Sequence, residues 1–164
     1  VNILPIYSNV FGNIGGLNLG AFNNSDIIIE GQTVGTEESI LYGNLGFVGM
    51  SWDATIDASD FTHVHVDVQL QSAGSSLTVE LIDFGPDNTD NGLSGTDDSA
   101  GGFSVTDQLV QGEWVGIDIP LNAFTLPTGG GGSGFPNLSN LGYFVLVSNN
   151  GTVLIDNIYF YEEN

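Results

Sequence analysis

The sequence predicts an all-β fold: two antiparallel sheets packed face to face as a sandwich, with jelly-roll connections. Three observations carry that prediction. Apolar residues recur with a period of two over several short runs, as in strands buried on one face. Gly, Asn, Asp and Ser separate those runs, and Gly alone supplies 24 of the 164 residues. No segment shows the 3.6-residue period of an amphipathic helix.

Four early strands are expected near 2–8, 25–34, 37–43 and 45–53. The segment 61–71 alternates strictly, with Thr62, Val64, Val66, Val68 and Leu70 against His63, His65, Asp67 and Gln69. In 75–84, Leu77, Val79 and Leu81 oppose Thr78, Glu80, Ile82 and Phe84. In 113–121, Val115, Ile117 and Ile119 oppose Trp114, Gly116 and Asp118. Segments 141–148 and 151–161 are expected to form a hairpin, because the turn Asn149-Asn150-Gly151 accepts positive φ. About nine or ten strands result, enough for one two-sheet domain over 1–164. The Gly-rich run 129–134 reads as a long internal loop, since the segment after it carries core residues.

The charge balance restricts partners. The chain has 20 Asp and Glu, two His, and neither Lys nor Arg. Nucleic acids and anionic membranes require cations to meet phosphate, so both are excluded as partners. A sulfated glycan meets like charge everywhere. A neutral sugar or a divalent cation does not. Uniform negative charge also repels copies of the chain and favours a monomer. There is no Cys and hence no disulfide. No run of 18 apolar residues exists to insert into a membrane. The opening VNILPIYSNV lacks a basic leader, so an export signal is expected outside these residues, in a longer multimodular chain.

Four features could carry chemistry. The loop 85–102 contains Asp87, Thr89, Asn91, Gly92 and Asp98 at the spacing of a calcium loop, although Asp98 replaces the usual Glu. It reads either as a cation site or as a solvated acidic loop. Asp156 falls in the apolar pattern of Leu154, Ile158 and Phe160. No Lys or Arg can pair with it, so it reads as a ligand of structural Ca²⁺ with Ser8, Asn9 and Asn13, or as a strand-end Asp facing water. His63, His65 and Asp67 share a strand face, more as a polar surface than as a metal site. Trp52, Phe22 and Phe84 are candidate rings for sugar C–H faces, with Trp52 foremost, and Asp87, Asn88, Glu80 and His65 are candidate hydroxyl partners. The site is expected either on a concave sheet face with His63, His65, Asp67 and Glu80, or on end loops with Phe22, Trp52, Asp87 and Asn88. No nucleophile constellation is present, and the adjacent acids Asp97-Asp98 and Glu37-Glu38 read as turn residues.

The runs FTHVHVDVQLQSAGSSLTVELIDFGPDN, GTDDSAGGFSV, GEWVGIDIPLNAF and GTVLIDNIYFY, over about 60–162, resemble a β-sandwich carbohydrate-binding module of marine Bacteroidota. Such modules accompany family 16 glycoside hydrolases, laminarinases and agarases among them, and surface glycan-binding proteins. The resemblance implies a galactose-binding-like jelly roll, export to the cell surface or medium, no catalysis, and a structural calcium involving Asp156. Relatives often carry Trp where this chain has Gln69 and Phe22, so their ligand does not transfer directly. Combined with the charge, the resemblance gives an expected ligand: a neutral polysaccharide, laminarin-like β-1,3-glucan first and agarose-type galactan second. The alternatives are a calcium-stabilised spacer that binds no glycan, and a hydrolase, which would need two carboxylates in one cleft.

Overall fold

The computed structural model describes residues 2–34, 36–93, 96–125 and 137–163. The Gly-rich run 129–134 lies outside the described residues. Among the described residues nine strands follow in order: β1 (Ile3–Tyr7), β2 (Asn18–Asn23), β3 (Ile27–Val34), β4 (Glu37–Ser51), β5 (His63–Leu70), β6 (Leu77–Asp83), β7 (Ser99–Ser104), β8 (Trp114–Pro120) and β9 (Leu141–Tyr161). Every pairing between them is antiparallel.

Two long strands build both layers. The first half of β4 pairs with the second half of β9 at Ile40↔Ile155, flanked by β3 on one side and by β5 and β8 on the other. Strand β1 joins this layer along the end of β9. The second half of β4 pairs with the first half of β9 at Met50↔Phe144, flanked by β2 on one side and β6 and β7 on the other. Pairing is therefore continuous through β4 and β9, while the faces separate into two packed layers.

This corrects the expected hairpin at 149–151. Strand β9 does not reverse there, because β4 runs alongside it on both sides, at Leu45↔Gly151 and Phe47↔Val147. Asn150 does take positive φ (66°), but Asn44 on β4 takes it too (48°). The two strands bulge together and bend from one layer into the other, as paired irregularities allow. For the same reason the two runs expected at 37–43 and 45–53 form one strand.

The core lies between the layers. Val64, Val66 and Val68 of β5 face Leu77, Val79 and Leu81 of β6, with Phe144, Leu146, Ile155 and Phe160 of β9, all fully buried. The alternation of β5, β6 and β8 places these side chains as expected. In β9 a bulge changes the phase. The register passes from His65↔Tyr159 to Asp67↔Asp156, three steps on β9 against two on β5. Asn157, at φ 47°, is the extra residue. Asp156 therefore shares the outer face with Asp67, opposite to Ile158 and Phe160, and not the apolar face that simple alternation assigns.

Candidate functional site

The outer face of the β2-β4-β9-β6-β7 layer follows from register, since cross-strand partners share a face. Phe22 lies opposite Gly49, Gly49 opposite Val145, Val145 opposite Glu80, and Glu80 opposite Gly102. The adjoining rows hold Phe47, Val147 and Thr78, and Tyr143 and Ile82. Aromatic rings form a connected set. Phe22 meets Tyr143 edge-on at 5.0 Å, Phe84 meets Tyr143 edge-on at 4.8 Å, and Phe47 tilts against Phe22 at 6.3 Å.

Glycines seat two of these rings. A Cβ on Gly49 would collide with the Phe22 ring, and one on Gly142 with the Phe84 ring. Both rings rest on bare backbone, which fixes their height above the sheet. Phe47 is 39% exposed. The Tyr143 hydroxyl donates to Asp90 at 2.8 Å, and burial followed by that acid pushes its pKa up to about 12. Glu80 is half-buried, and desolvation raises its carboxyl above the usual carboxylate range. Such a face offers rings for the C–H side of a flat ligand and a carboxylate to accept its hydroxyls.

The structure gathers Phe22, Phe84 and Glu80 on this face. Asp87 and Asn88 stand exposed in the loop after Phe84, which reaches the face through Asp90 and Tyr143. Asn88 accepts the Thr55 hydroxyl at 2.6 Å, and Asp87 accepts the Thr89 amide at 2.8 Å. Trp52 is a correction. It is 9% exposed and packs in the core, so its ring cannot stack on a ligand. His65 is a second correction, because it lies on the outer face of the other layer, and no single sheet face holds both His65 and Glu80. Phe47 and Tyr143 are not among the residues expected at the site from the sequence. Tyr143 sits one place from the core residue Phe144, and that period-two offset was the signal available.

The opposite outer face is polar and self-bonded. His65 Nδ1 lies 2.8 Å from Asp118 and Nε2 3.1 Å from Asp67, with its ring stacked on Tyr159 at 4.7 Å. Burial, the largest influence, opposes the imidazolium, but the bonds to Asp67 and Asp118 outweigh it and raise the His65 pKa. Asp67 also accepts the Asn157 amide at 2.8 Å. Beside this network, Asp67, Trp114, Gly116, Asp156 and Asn157 line a pocket of about 300 Å³.

The N-terminal turn covers one edge of that face. Ser8 donates to Asn157 at 2.8 Å, Asn13 accepts the Ser8 amide at 3.1 Å, and Asn9 donates to the Glu38 carbonyl and, at 3.5 Å, to Asp156. Asp156 is 3% exposed beneath it. Ser8, Asn9 and Asn13 thus lie in one turn, bonded through Asn9 to Asp156 and through Ser8 to Asn157. Asp98 stands apart, in the loop before β7.

No family model matches this chain, and no curated protein matches it. Solved structures do. The family 11 carbohydrate-binding module of the cellulosomal cellulase Lic26A-Cel5E of Clostridium thermocellum superposes with a TM-score of 0.66 at 17% identity, over 99% of this chain and 96% of that one. The two chains share one β-sandwich fold. The family 30 module of the cellulosomal cellulase Cel9D-Cel44B of the same organism gives 0.64 at 14% identity, over 100% and 99%. A family 11 module from Clostridium thermocellum in complex with a β-1,3-1,4-mixed-linked tetrasaccharide gives 0.58 at 18% identity, over 90% and 88%.

Proposed function

We propose that this domain binds a neutral β-glucan without cleaving it, on the face of Phe22, Phe47, Tyr143, Phe84 and Glu80. The observation that carries this reading is the connected ring set seated on Gly49 and Gly142 beside the half-buried Glu80. Rings held on bare backbone form a rigid surface for pyranose C–H faces, and little side-chain entropy is lost on binding. The fold shared with whole carbohydrate-binding modules supports the class of ligand. The mixed-linked tetrasaccharide held by one of them supports a β-1,3-containing glucan, laminarin-like polymer first. The net charge of −20 supports a neutral polymer over a sulfated one. In this reading the domain is a monomeric module of an exported, longer chain.

Affinity gel electrophoresis against laminarin, mixed-linked β-glucan, agarose and carrageenan tests it. Laminarin is expected to retard the domain and carrageenan to leave it unretarded, with no reducing sugar released. Phe22→Ala and Tyr143→Ala should each weaken binding at least about tenfold, the scale of a lost aromatic anchor. Retardation by carrageenan alone would overturn the reading, and retardation by none of the four would favour a structural spacer.

We also propose a structural Ca²⁺ at Asp156, with Ser8, Asn9, Asn13 and the Glu38 carbonyl as oxygen donors. The donor chemistry fits: a buried carboxylate with side-chain amide, hydroxyl and backbone carbonyl groups in the turn beside it is a hard-ligand set suited to Ca²⁺. Among the described residues no three acidic or imidazole side chains gather for a metal, so neutral oxygens would supply most of the coordination. Thermal melts with and without chelator decide it. A fall in midpoint that is smaller in Asp156→Asn is expected, and a fall of equal size in that variant, or none in wild type, refutes the site.

A further inference from the structure

The loop between β6 and β7 holds four acids: Asp87, Asp90, Asp97 and Asp98. Three are exposed, but Asp98 is 6% exposed. Its Oδ2 accepts the Asn91 amide at 2.9 Å. Its Oδ1 is buried and meets no hydrogen-bond donor among the described residues. A carboxylate oxygen left so is costly, and no Lys or Arg exists to pair with it. Burial, reinforced by Asp90, Asp97 and Asp87, holds its carboxyl above the usual carboxylate range.

Asn91 links this buried acid to an exposed one. Its backbone amide bonds Asp98, while its side-chain amide donates to Asp87 at 2.7 Å. Two carboxylates therefore converge on one residue. The spacing places Asp87, Thr89, Asn91 and Asp98 at the first, third, fifth and twelfth places of a calcium loop, with Gly92 (φ 73°) at the sixth, where the chain must turn sharply.

We propose that Asp98, Asp87 and Asn91 form a Ca²⁺ site in this loop, separate from the one at Asp156 and carried by the donor-less oxygen of Asp98. The donors are all hard oxygens, and the site is independent of the glycan reading. Among the described residues no acidic trio is already gathered, so neutral oxygens of Thr89 and Asn91 would help complete the set. Asp90 of the same loop holds the Tyr143 hydroxyl, which places a filled site directly beside the ring set.

Calorimetric titration of Ca²⁺ into the chelator-stripped domain tests this, in wild type and in Asp98→Asn, Asp87→Asn and Asp156→Asn variants. One binding event is expected to persist in Asp156→Asn and to weaken at least tenfold in both Asp98→Asn and Asp87→Asn. Asp87 is exposed, so its variant tests the site without threatening the fold. Circular dichroism confirms that the Asp98 variant is folded, and the Asp87 variant decides if it is not. Unchanged Ca²⁺ binding in the Asp87 variant, or no event that persists in Asp156→Asn, overturns the proposal. Glycan affinity is not the readout, so either result leaves the glycan reading to its own test.

Discussion

His65 is the residue whose chemistry is most exposed to pH. It faces Asp67 and His63 on its own strand, Asp118 on β8, and Tyr159 and Tyr161 on β9. Its folded pKa is raised, so the native state holds this proton more tightly than the unfolded chain, whose imidazole titrates near about 6.5. The stabilisation is complete below about pH 6.5 and is lost as pH climbs through the raised folded value. Asp67 runs the other way. Burial alone would raise its pKa, but hydrogen bonds from His65 and Asn157 lower it. Its contribution is present above about pH 3.9 and is lost as pH falls through the lowered value. The gap in melting temperature between wild type and His65→Gln should therefore be widest near about pH 5.5 and close toward about pH 9. A gap that stays constant over that range rules out the protonated His65. Trp52 gives a contrasting case at the same scale. It is a core residue, so Trp52→Ala should cost about 3–5 kcal/mol in urea unfolding yet leave the glycan affinity of the folded protein intact.

At the scale of elements, the bend that β4 and β9 share rests on two asparagines in the left-handed region. Replacing Asn150 with Ala should cost about 1–2 kcal/mol in denaturant unfolding, the penalty of a Cβ at positive φ, while Asn150→Gly should be tolerated. Equal stability of both variants would show that the bend does not depend on backbone handedness. This bend also explains what the sequence hid. Asn149-Asn150-Gly151 announced positive φ correctly, but a local signal cannot tell a reversal from a bulge, because the difference lies in the partner strand. The alternation of Val64, Val66 and Val68, and of Leu77, Val79 and Leu81, was legible because each strand buries one face. β2 and β7 were not. β2 is an edge strand of mixed exposure, NLGAFN, and β7, SAGGFS, buries small residues that leave no hydrophobic period. Both border the candidate glycan face, so half of that face could not be assembled from the sequence. Phe22 was placed in a loop for this reason. Trp52 followed a strand and preceded a polar turn, a context that gives no sign of how deeply the ring is buried.

At the scale of the molecule, the charge of −20 with no Lys or Arg bears on stability and, in the proposed function, on the choice of ligand. Like charges repel most in the compact state, and added salt screens them over a Debye length that shrinks from about 30 Å at 0.01 M to about 3 Å at 1 M. NaCl should therefore raise the melting temperature, most steeply at its lowest concentrations. Glycan binding should respond differently. A neutral polymer brings no charge to screen, and rings against pyranose faces work by apolar burial, so affinity for laminarin should be nearly flat from about 0.01 to 0.5 M NaCl. A sulfated polymer must bring its charges toward Glu80 and the acidic β6–β7 loop, where no cation can receive them. Its binding should be absent at low salt and at best emerge weakly as screening grows. The two dependences separate a face selected by charge from one selected by shape alone. If laminarin affinity rose steeply with salt, the polymer would have to carry charge or displace ions. If carrageenan bound at low salt as well as laminarin does, the missing cations would have no part in the choice of ligand.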